Sequence, residues 1–129
     1  MILNLTQRPA TPEQLAAGVV DPSEETAFII KYLLTFDILP TKQALLDRAK
    51  ALAQVAKSTG CKRVMIGGAP FFMAPLEAAL IRRNIEPVYA FSVRESVETT
   101  QPDGSVQKAS VFKHLGFVPS ADWEPLKRR

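Results

Sequence analysis

Polar residues that could bind an anion follow three apolar segments that we predict to be parallel strands. Thr6 and Gln7 come after the first segment, the run 67–69 (Gly-Gly-Ala) after the second, and Ser92 and Arg94 after the third. Because the carboxyl ends of parallel strands lie at one edge of an open α/β sheet, we expect these residues to converge. Glycine N–H groups, hydroxyls and a guanidinium together suit a phosphate or a carboxylate.

Each of these signals has an alternative interpretation. Gly67 and Gly68 form neither a dinucleotide-binding fingerprint nor a phosphate-binding loop with a lysine, so they could be a tight connection between strand and helix. Arg94 lies in an alternating segment whose polar face could simply be solvated, or could pair with Glu95 or Glu98 of a neighbouring chain.

The candidates for catalysis are few, and the catalytic residues stay unknown at this point. Arg94, Lys113 and His114 could act on a phosphate ester, with the imidazole as a general acid or base, although a surface histidine is the plainer interpretation. With one histidine and one cysteine, a zinc cluster is excluded, and we predict no metal and no cofactor. We expect Cys61 to be buried and inert.

The helices that must position these residues have clear start signals. Thr11, Ser23 and Thr41 are predicted N-caps, and Gln14 can complete a capping box with Thr11. A fourth helix is predicted from about 75 to 83. Strands are predicted at 1–5, at the apolar run before Gly67, and at 88–91.

After Phe91 the chain alternates apolar and polar residues, reaches a turn at 101–104, and returns. This pattern predicts a hairpin at about 88–114. We therefore predict one domain over residues 1–129, with an α/β fold: a three-layer Rossmann-like arrangement with a mostly parallel sheet and a C-terminal β-hairpin. A long two-stranded hairpin is marginal alone, which favours a homodimer.

The apolar run 71–73 (Phe-Phe-Met) is unusual for a connection between strand and helix. It could roof the ligand site, offer a face for stacking a base, or form a subunit contact, and core packing is the alternative.

Composition limits the classes of partner. The 129 residues carry a net charge of +3, which residues 127–129 account for, so no basic stripe for a long nucleic acid is present. No apolar run is long enough to cross a bilayer, so no membrane contact is predicted. One cysteine and a start without signal-peptide features predict a cytoplasmic location.

The opening residues 3–14, LNLTQRPATPEQ, resemble the start of small single-domain CARF-like CRISPR-associated proteins, in which a strand ends in Asn-x-Ser/Thr and leads into a Thr-Pro-Glu-Gln helix start. The whole chain is also similar to uncharacterised small proteins of bacteria and mobile elements. The CARF-like resemblance implies a homodimer that holds a cyclic oligonucleotide across its two-fold axis and either sequesters it or cleaves it without metal.

Carried over from that resemblance, Asn4 and Thr6 match the polar end of the first strand. Gln7 stands where those relatives often have histidine, which speaks against cleavage by this position and leaves binding open. The predicted ligand-binding residues are Asn4, Thr6, Gln7, Gly67, Gly68, Ala69, Ser92 and Arg94.

The predicted function is therefore binding of a small anionic or nucleotide-like ligand, such as a cyclic oligonucleotide, at the carboxyl ends of the parallel strands. Two alternatives stay open. One is a metal-independent phosphodiesterase of the ring-nuclease kind, and the other is a structural or interaction protein.

Overall fold

A computed structural model describes residues 1–124, and the basic residues 127–129 lie outside the described part. The chain forms a mixed α/β structure in which helices alternate with strands. The elements in chain order are β1 (Ile2–Leu5), α1 (Pro12–Ala16), β2 (Val19–Val20), α2 (Glu24–Leu34), α3 (Lys42–Ser58), β3 (Arg63–Ile66), α4 (Pro70–Arg82), β4 (Glu86–Thr100) and β5 (Val106–Pro119).

The strands form a five-stranded, mostly parallel sheet in the order β2-β1-β3-β4-β5. β1 pairs in parallel with β2 and β3, and β3 pairs in parallel with the start of β4. β5 pairs antiparallel with β4 over the length of both strands. The strand order reverses between β1 and β3, so the carboxyl ends of these two strands flank the position where open α/β sheets bind ligands.

One face of the sheet packs against three helices. Leu3, Leu5, Val64 and Ile66 alternate along β1 and β3 and join the side chains of α2, α3 and α4 in a single buried cluster. The period of two along each strand sends these four residues to the same side. This cluster holds most of the core and fixes where β1 and β3 end.

The opposite face of the sheet carries a smaller cluster. Ile2, Val19, Met65 and Val88 are buried there, and Phe117 from β5 packs against them. Asn4 lies on this same face and is buried with 2% of its surface exposed. A buried amide side chain requires hydrogen-bond partners, and these prove central to the site.

The predicted helix starts are confirmed. The side chains of Thr11, Ser23 and Thr41 each accept a hydrogen bond from the first turn of the helix that follows, and Thr11 with Gln14 forms a complete capping box. These bonds satisfy backbone N–H groups that a helix leaves open at its start. Asn84 has a φ of 58°, the left-handed conformation expected at the end of α4.

The prediction for the fourth helix was wrong at its start. α4 begins at Pro70 rather than near Pro75, which lies inside the helix. Phe72 and Met73 are buried in the core, whereas Phe71 is half exposed and meets Phe36 edge to face, with ring centroids 5.1 Å apart. The short strand β2 was also missed, because two valines after a glycine carry no periodic signal.

β4 and β5 are longer than predicted and extend beyond the end of β3. β3 pairs with β4 only up to Met65 and Val88, whereas β4 and β5 continue to pair as far as Thr100 and Val106. The pairing shifts between Phe91 and Ser92, where Leu115 of β5 is skipped. We call residues 92–114 the arm. No helix within residues 1–124 is long and apolar enough to cross a membrane.

Candidate functional site

Asn4 organises the loop that follows β1. Its Nδ2 donates to the backbone oxygen of Arg8 at 2.7 Å and to Oδ1 of Asp21 at 2.8 Å. Its Oδ1 accepts from the backbone N and from Oγ1 of Thr6, at 3.0 and 2.6 Å. The polar atoms of the Asn4 side chain are therefore all engaged within the chain, and Asn4 shapes the loop.

Two clefts open on either side of this loop, at the carboxyl ends of the strands. The first, which we call the β1–β2 cleft, has a volume of about 390 Å³ and is lined by residues after β1, by Asp21 after β2, and by the first two turns of α2. The second, the β1–β3 cleft, has a volume of about 390 Å³ and is lined by Thr6, Gln14, Gly67 and neighbours. Thr6 and Arg8 line both clefts.

Among the described residues, some charged side chains that line the β1–β2 cleft are bonded within the chain, and others are not. Oδ1 of Asp21 accepts from Asn4 and from the backbone N of Ala10 at 3.0 Å. Among residues 1–124, neither Arg8 nor Lys31 lies within ion-pair distance of a carboxylate. These two cations line the cleft, while Asp21 is occupied in holding the loop and Glu24 lines the cleft at the start of α2.

Phe28 adds an aromatic surface to the same cleft. It projects from α2 with 73% of its surface exposed. An exposed aromatic ring beside two cations is a suitable surface for a nucleobase, whose flat face stacks on aromatic side chains.

The two glycines after β3 have different roles. Gly67 lines the β1–β3 cleft, and a Cβ there would lie 3.8 Å from Cγ2 of Thr6, which is an ordinary contact. Gly68 has a φ of 144°, which other residues rarely adopt, and a Cβ there would meet Met73 of the core. Gly67 thus adds no side chain to the wall of the cleft, whereas the conformation of Gly68 lets the backbone turn into α4.

Ala69 is the N-cap of α4, and it makes no side-chain hydrogen bond to the first turn. The residues Gly68 and Ala69 line neither of the two clefts. The structure thus brings Asn4, Thr6, Gln7 and Gly67 of the predicted set to one place, with the Gln7 amide donating to Oγ1 of Thr35 at 3.1 Å.

The structure places Ser92 and Arg94 away from the clefts. Both lie on the arm, where Ser92 is opposite His114 and Arg94 is opposite Phe112. The guanidinium carbon of Arg94 lies 5.4 Å from the centre of the Phe112 ring. The convergence predicted from strand ends fails here because β4 does not end where β3 ends.

The candidates for catalysis are spread over the arm. Lys113 pairs with Val93, so it lies on the opposite face from Arg94 and His114. The His114 ring packs edge to face against Phe117 at 4.9 Å, and neither ring nitrogen has a hydrogen-bond partner within residues 1–124. Within the described residues 1–124, no three histidine, cysteine, aspartate or glutamate side chains are grouped so that they could hold a metal ion.

Sequence reasoning missed Arg8 and Asp21. Arg8 directly follows Thr6 and Gln7, so its position after a strand was a usable signal. Asp21 follows β2, and without recognising that strand nothing marked it. Both residues take their importance from the loop that Asn4 holds.

Fold and site together define a mixed α/β protein with a mostly parallel sheet and a pair of clefts at its strand ends. A model of the Uncharacterized protein MJ1673 family matches residues 1–118, and the chain belongs to this family. No curated protein and no solved structure matches the chain.

Proposed function

We propose that this protein binds a small anionic, nucleotide-like ligand at the carboxyl ends of β1, β2 and β3. The observation that carries the proposal is the position of Arg8. This cation has no ion-pair partner among residues 1–124 and lines two adjoining clefts, one of them where the strand order reverses. Clefts of this size and position are the usual ligand sites of open α/β sheets.

The phosphate of such a ligand would lie in the β1–β3 cleft. Arg8 supplies a planar, permanently charged guanidinium, Thr6 supplies a hydroxyl, and Gly67 allows the ligand to approach the backbone closely. Charge-assisted hydrogen bonds from a guanidinium to a phosphate are among the stronger polar contacts in proteins.

The base of the ligand would lie in the β1–β2 cleft against Phe28. Stacking on an exposed aromatic side chain contributes about 1–3 kcal/mol per base and tolerates any base. Lys31, on the same side of α2 one turn later, would add a second cation for a phosphate linkage. This division explains why the two clefts share Arg8.

The proposal also includes a more specific fold, a kind of ligand and a cellular location. A Rossmann-like, three-layer domain with a C-terminal hairpin is supported by the strand order, by α2–α4 on one face, and by the antiparallel β4–β5 pair. The resemblance of residues 3–14 to CARF-like proteins supports a cyclic oligonucleotide as the ligand, and a cytoplasmic location fits such a ligand.

Interaction with another protein is the second candidate function, and exposed apolar residues favour it. Ile38 and Leu39 in the connection between α2 and α3 are 79% and 94% exposed. They line one shallow cavity with Phe36, whose ring contacts the half-exposed Phe71. Contiguous apolar surface of this kind marks interaction sites. The phosphodiesterase alternative would need Arg94, Lys113 or His114 at the ligand, and these lie on the arm.

Thermal-shift measurements test the proposal. The purified protein is heated with inorganic phosphate, adenosine monophosphate, linear dinucleotides or cyclic oligoadenylates. At about 100 times the dissociation constant, a ligand specific to the folded state adds about 2.7 kcal/mol of stability. We expect Arg8→Ala and Gly67→Val to remove the shift, because one takes away the cation and the other fills the cleft.

Arg82→Ala is the matched control, because Arg82 is an exposed arginine at the end of α4 that lines neither cleft. Stabilisation that is equal in Arg8→Ala and Arg82→Ala would contradict the proposed site. Two results together would favour the interaction function over ligand binding. No nucleotide would shift the unfolding temperature, and the protein would bind a partner through Ile38 and Leu39. Cleaved nucleotide in the same samples would support the phosphodiesterase.

A further inference from the structure

The arm has an open edge on β4. Beyond Val88, β3 offers no partner, so one side of β4 carries unpaired backbone groups from Tyr89 to Thr100 within the described residues. Residues 92–100 extend about 30 Å at the usual rise of a strand. An unpaired edge of this length is a template for another strand, and a two-stranded ribbon is marginal without one.

The backbone direction along this edge follows from two hydrogen bonds. The N–H of Glu86 donates to Lys62 at 2.8 Å, on the β3 side, and the oxygen of Pro87 accepts from Ser120 at 2.9 Å, on the β5 side. Backbone groups alternate sides along a strand, and the irregularity in the arm skips a residue of β5 rather than of β4. The even-numbered residues Arg94, Ser96 and Glu98 therefore direct their N–H and C=O groups to the open edge.

Two opposite charges on this edge stand at equal distances from Ser96, and the exposed Glu98 carboxylate also lies 3.7 Å from Lys108 of β5. Arg94 precedes Ser96 by two residues and Glu98 follows it by two. In an antiparallel pair of two β4 strands centred on Ser96, Arg94 of each copy faces Glu98 of the other. The same register sets Ser96 opposite itself and matches the residues whose backbone groups point outward, so hydrogen bonds and ion pairs form together.

The other edge of the arm does not have this symmetry. β5 carries Lys108 and Lys113 and no carboxylate between Val106 and Pro119. Two copies paired through β5 would have no carboxylate on that strand to match its lysines, and the N–H of His114 is already bonded to Glu13.

We propose that this protein forms a two-fold symmetric dimer in which β4 pairs with β4 of a second copy about Ser96. The two arms then make one four-stranded sheet in the order β5-β4-β4-β5, which satisfies the requirement for more than two strands. A second copy of β4 matches both charges in one register, because Arg94 and Glu98 lie at equal distances from Ser96. An unrelated strand would not in general carry the matching charges at both positions. The dimer does not depend on the ligand proposed above.

Charge reversal tests the dimer by light scattering after gel filtration over a concentration series. We expect the wild-type chain to dimerise and Arg94→Glu and Glu98→Arg to weaken the dimer about tenfold or more, because each puts like charges opposite each other twice. Carrying both changes in one chain should restore it. An equimolar mixture of the two single variants should form a heterodimer, since one strand is then wholly acidic and the other wholly basic at these positions.

Ser96→Pro tests the backbone contribution. Proline removes an N–H that points to the open edge and is not used by β5, so the dimer should be lost while β4 and β5 remain paired. Lys113→Glu is the control, because it makes the same change of charge on the far strand of the arm. A monomeric wild-type chain, a dimer indifferent to Arg94→Glu, or a mixture that stays monomeric would each overturn the proposal.

Discussion

At the scale of single residues, burial decides what each polar group at the strand ends can do. Asn4 lies in β1 and is buried, whereas Arg8, four residues later, follows the strand and is exposed. The Asn4 amide makes four hydrogen bonds within the chain, whereas the Arg8 side chain is available to a ligand. The resemblance stated above implied a ligand-binding role for Asn4, and the structure shows the bonds with which it supports the residues beside it.

We expect Asn4→Ala to lower the free energy of unfolding by about 2–3 kcal/mol, because it leaves buried partners of a hydrogen-bonded amide unsatisfied. Urea denaturation measures the change. Gln7→Ala is the control, since Gln7 is exposed and its side chain bonds to Thr35 alone among the described residues, and it should cost about 0.5 kcal/mol or less. Equal effects of both substitutions would show that Asn4 does not hold the loop.

At the level of the elements, Arg48 of α3 forms hydrogen bonds with the carboxyl end of α2. Nη1 of Arg48 donates to the backbone oxygens of Tyr32, Leu33 and Thr35 at 3.2, 3.1 and 2.7 Å. Its guanidinium carbon also lies 4.7 Å from the centre of the Phe36 ring. Arg48 thus caps the carboxyl end of α2 from a neighbouring helix, where a cation is favourable.

Arg48→Ala should destabilise the protein by about 2 kcal/mol, because three carbonyls lose a charged donor and an aromatic ring loses its contact. Hydrogen exchange should accelerate in the last turn of α2 more than elsewhere. Lys50→Ala, an exposed cation on the same helix, should change neither quantity appreciably. Uniform acceleration across the sheet would contradict a local capping role.

At the scale of the whole molecule, one polar network joins β4, α4 and the segment after β5. The hydroxyl of Tyr89 donates to Oε2 of Glu77 at 2.8 Å, and the hydroxyl of Ser120 donates to the other oxygen of the same carboxylate. Burial, and secondly the hydrogen bond to Glu77, raise the pKa of Tyr89 above its ordinary value of 10.0. The folded state therefore favours the neutral phenol.

The sign of the pH dependence follows from this shift. A raised pKa contributes stability that is complete below the unfolded value of 10.0 and is lost as the pH rises through the folded value. We expect the free energy of unfolding to fall above about pH 10 and Tyr89→Phe to remove part of that fall. At neutral pH this variant should cost about 1 kcal/mol for the lost hydrogen bond. Urea denaturation at pH 7 and above 10 measures both, and an unchanged alkaline slope would count against the network.

Features that depend on neighbouring residues could be predicted from the sequence. Helix starts at Thr11, Ser23 and Thr41 were predictable because capping joins a side chain to a backbone group three residues away. The class of fold followed from apolar runs alternating with helical patterns. Gly67, placed between a buried run and a helix, was found in the same way.

Which of these residues come together depends on contacts between segments that are distant in the sequence. The sequence predicted that the chain continues as a strand towards the turn at 101–104, but not how far β3 accompanies it. Pairing between distant segments ends at Met65 and Val88, which leaves Arg94 beyond the clefts. The start of α4 likewise depended on the burial of Phe72 against helices distant in sequence. Arg8 became the centre of the site because Asn4, from inside the sheet, holds its loop.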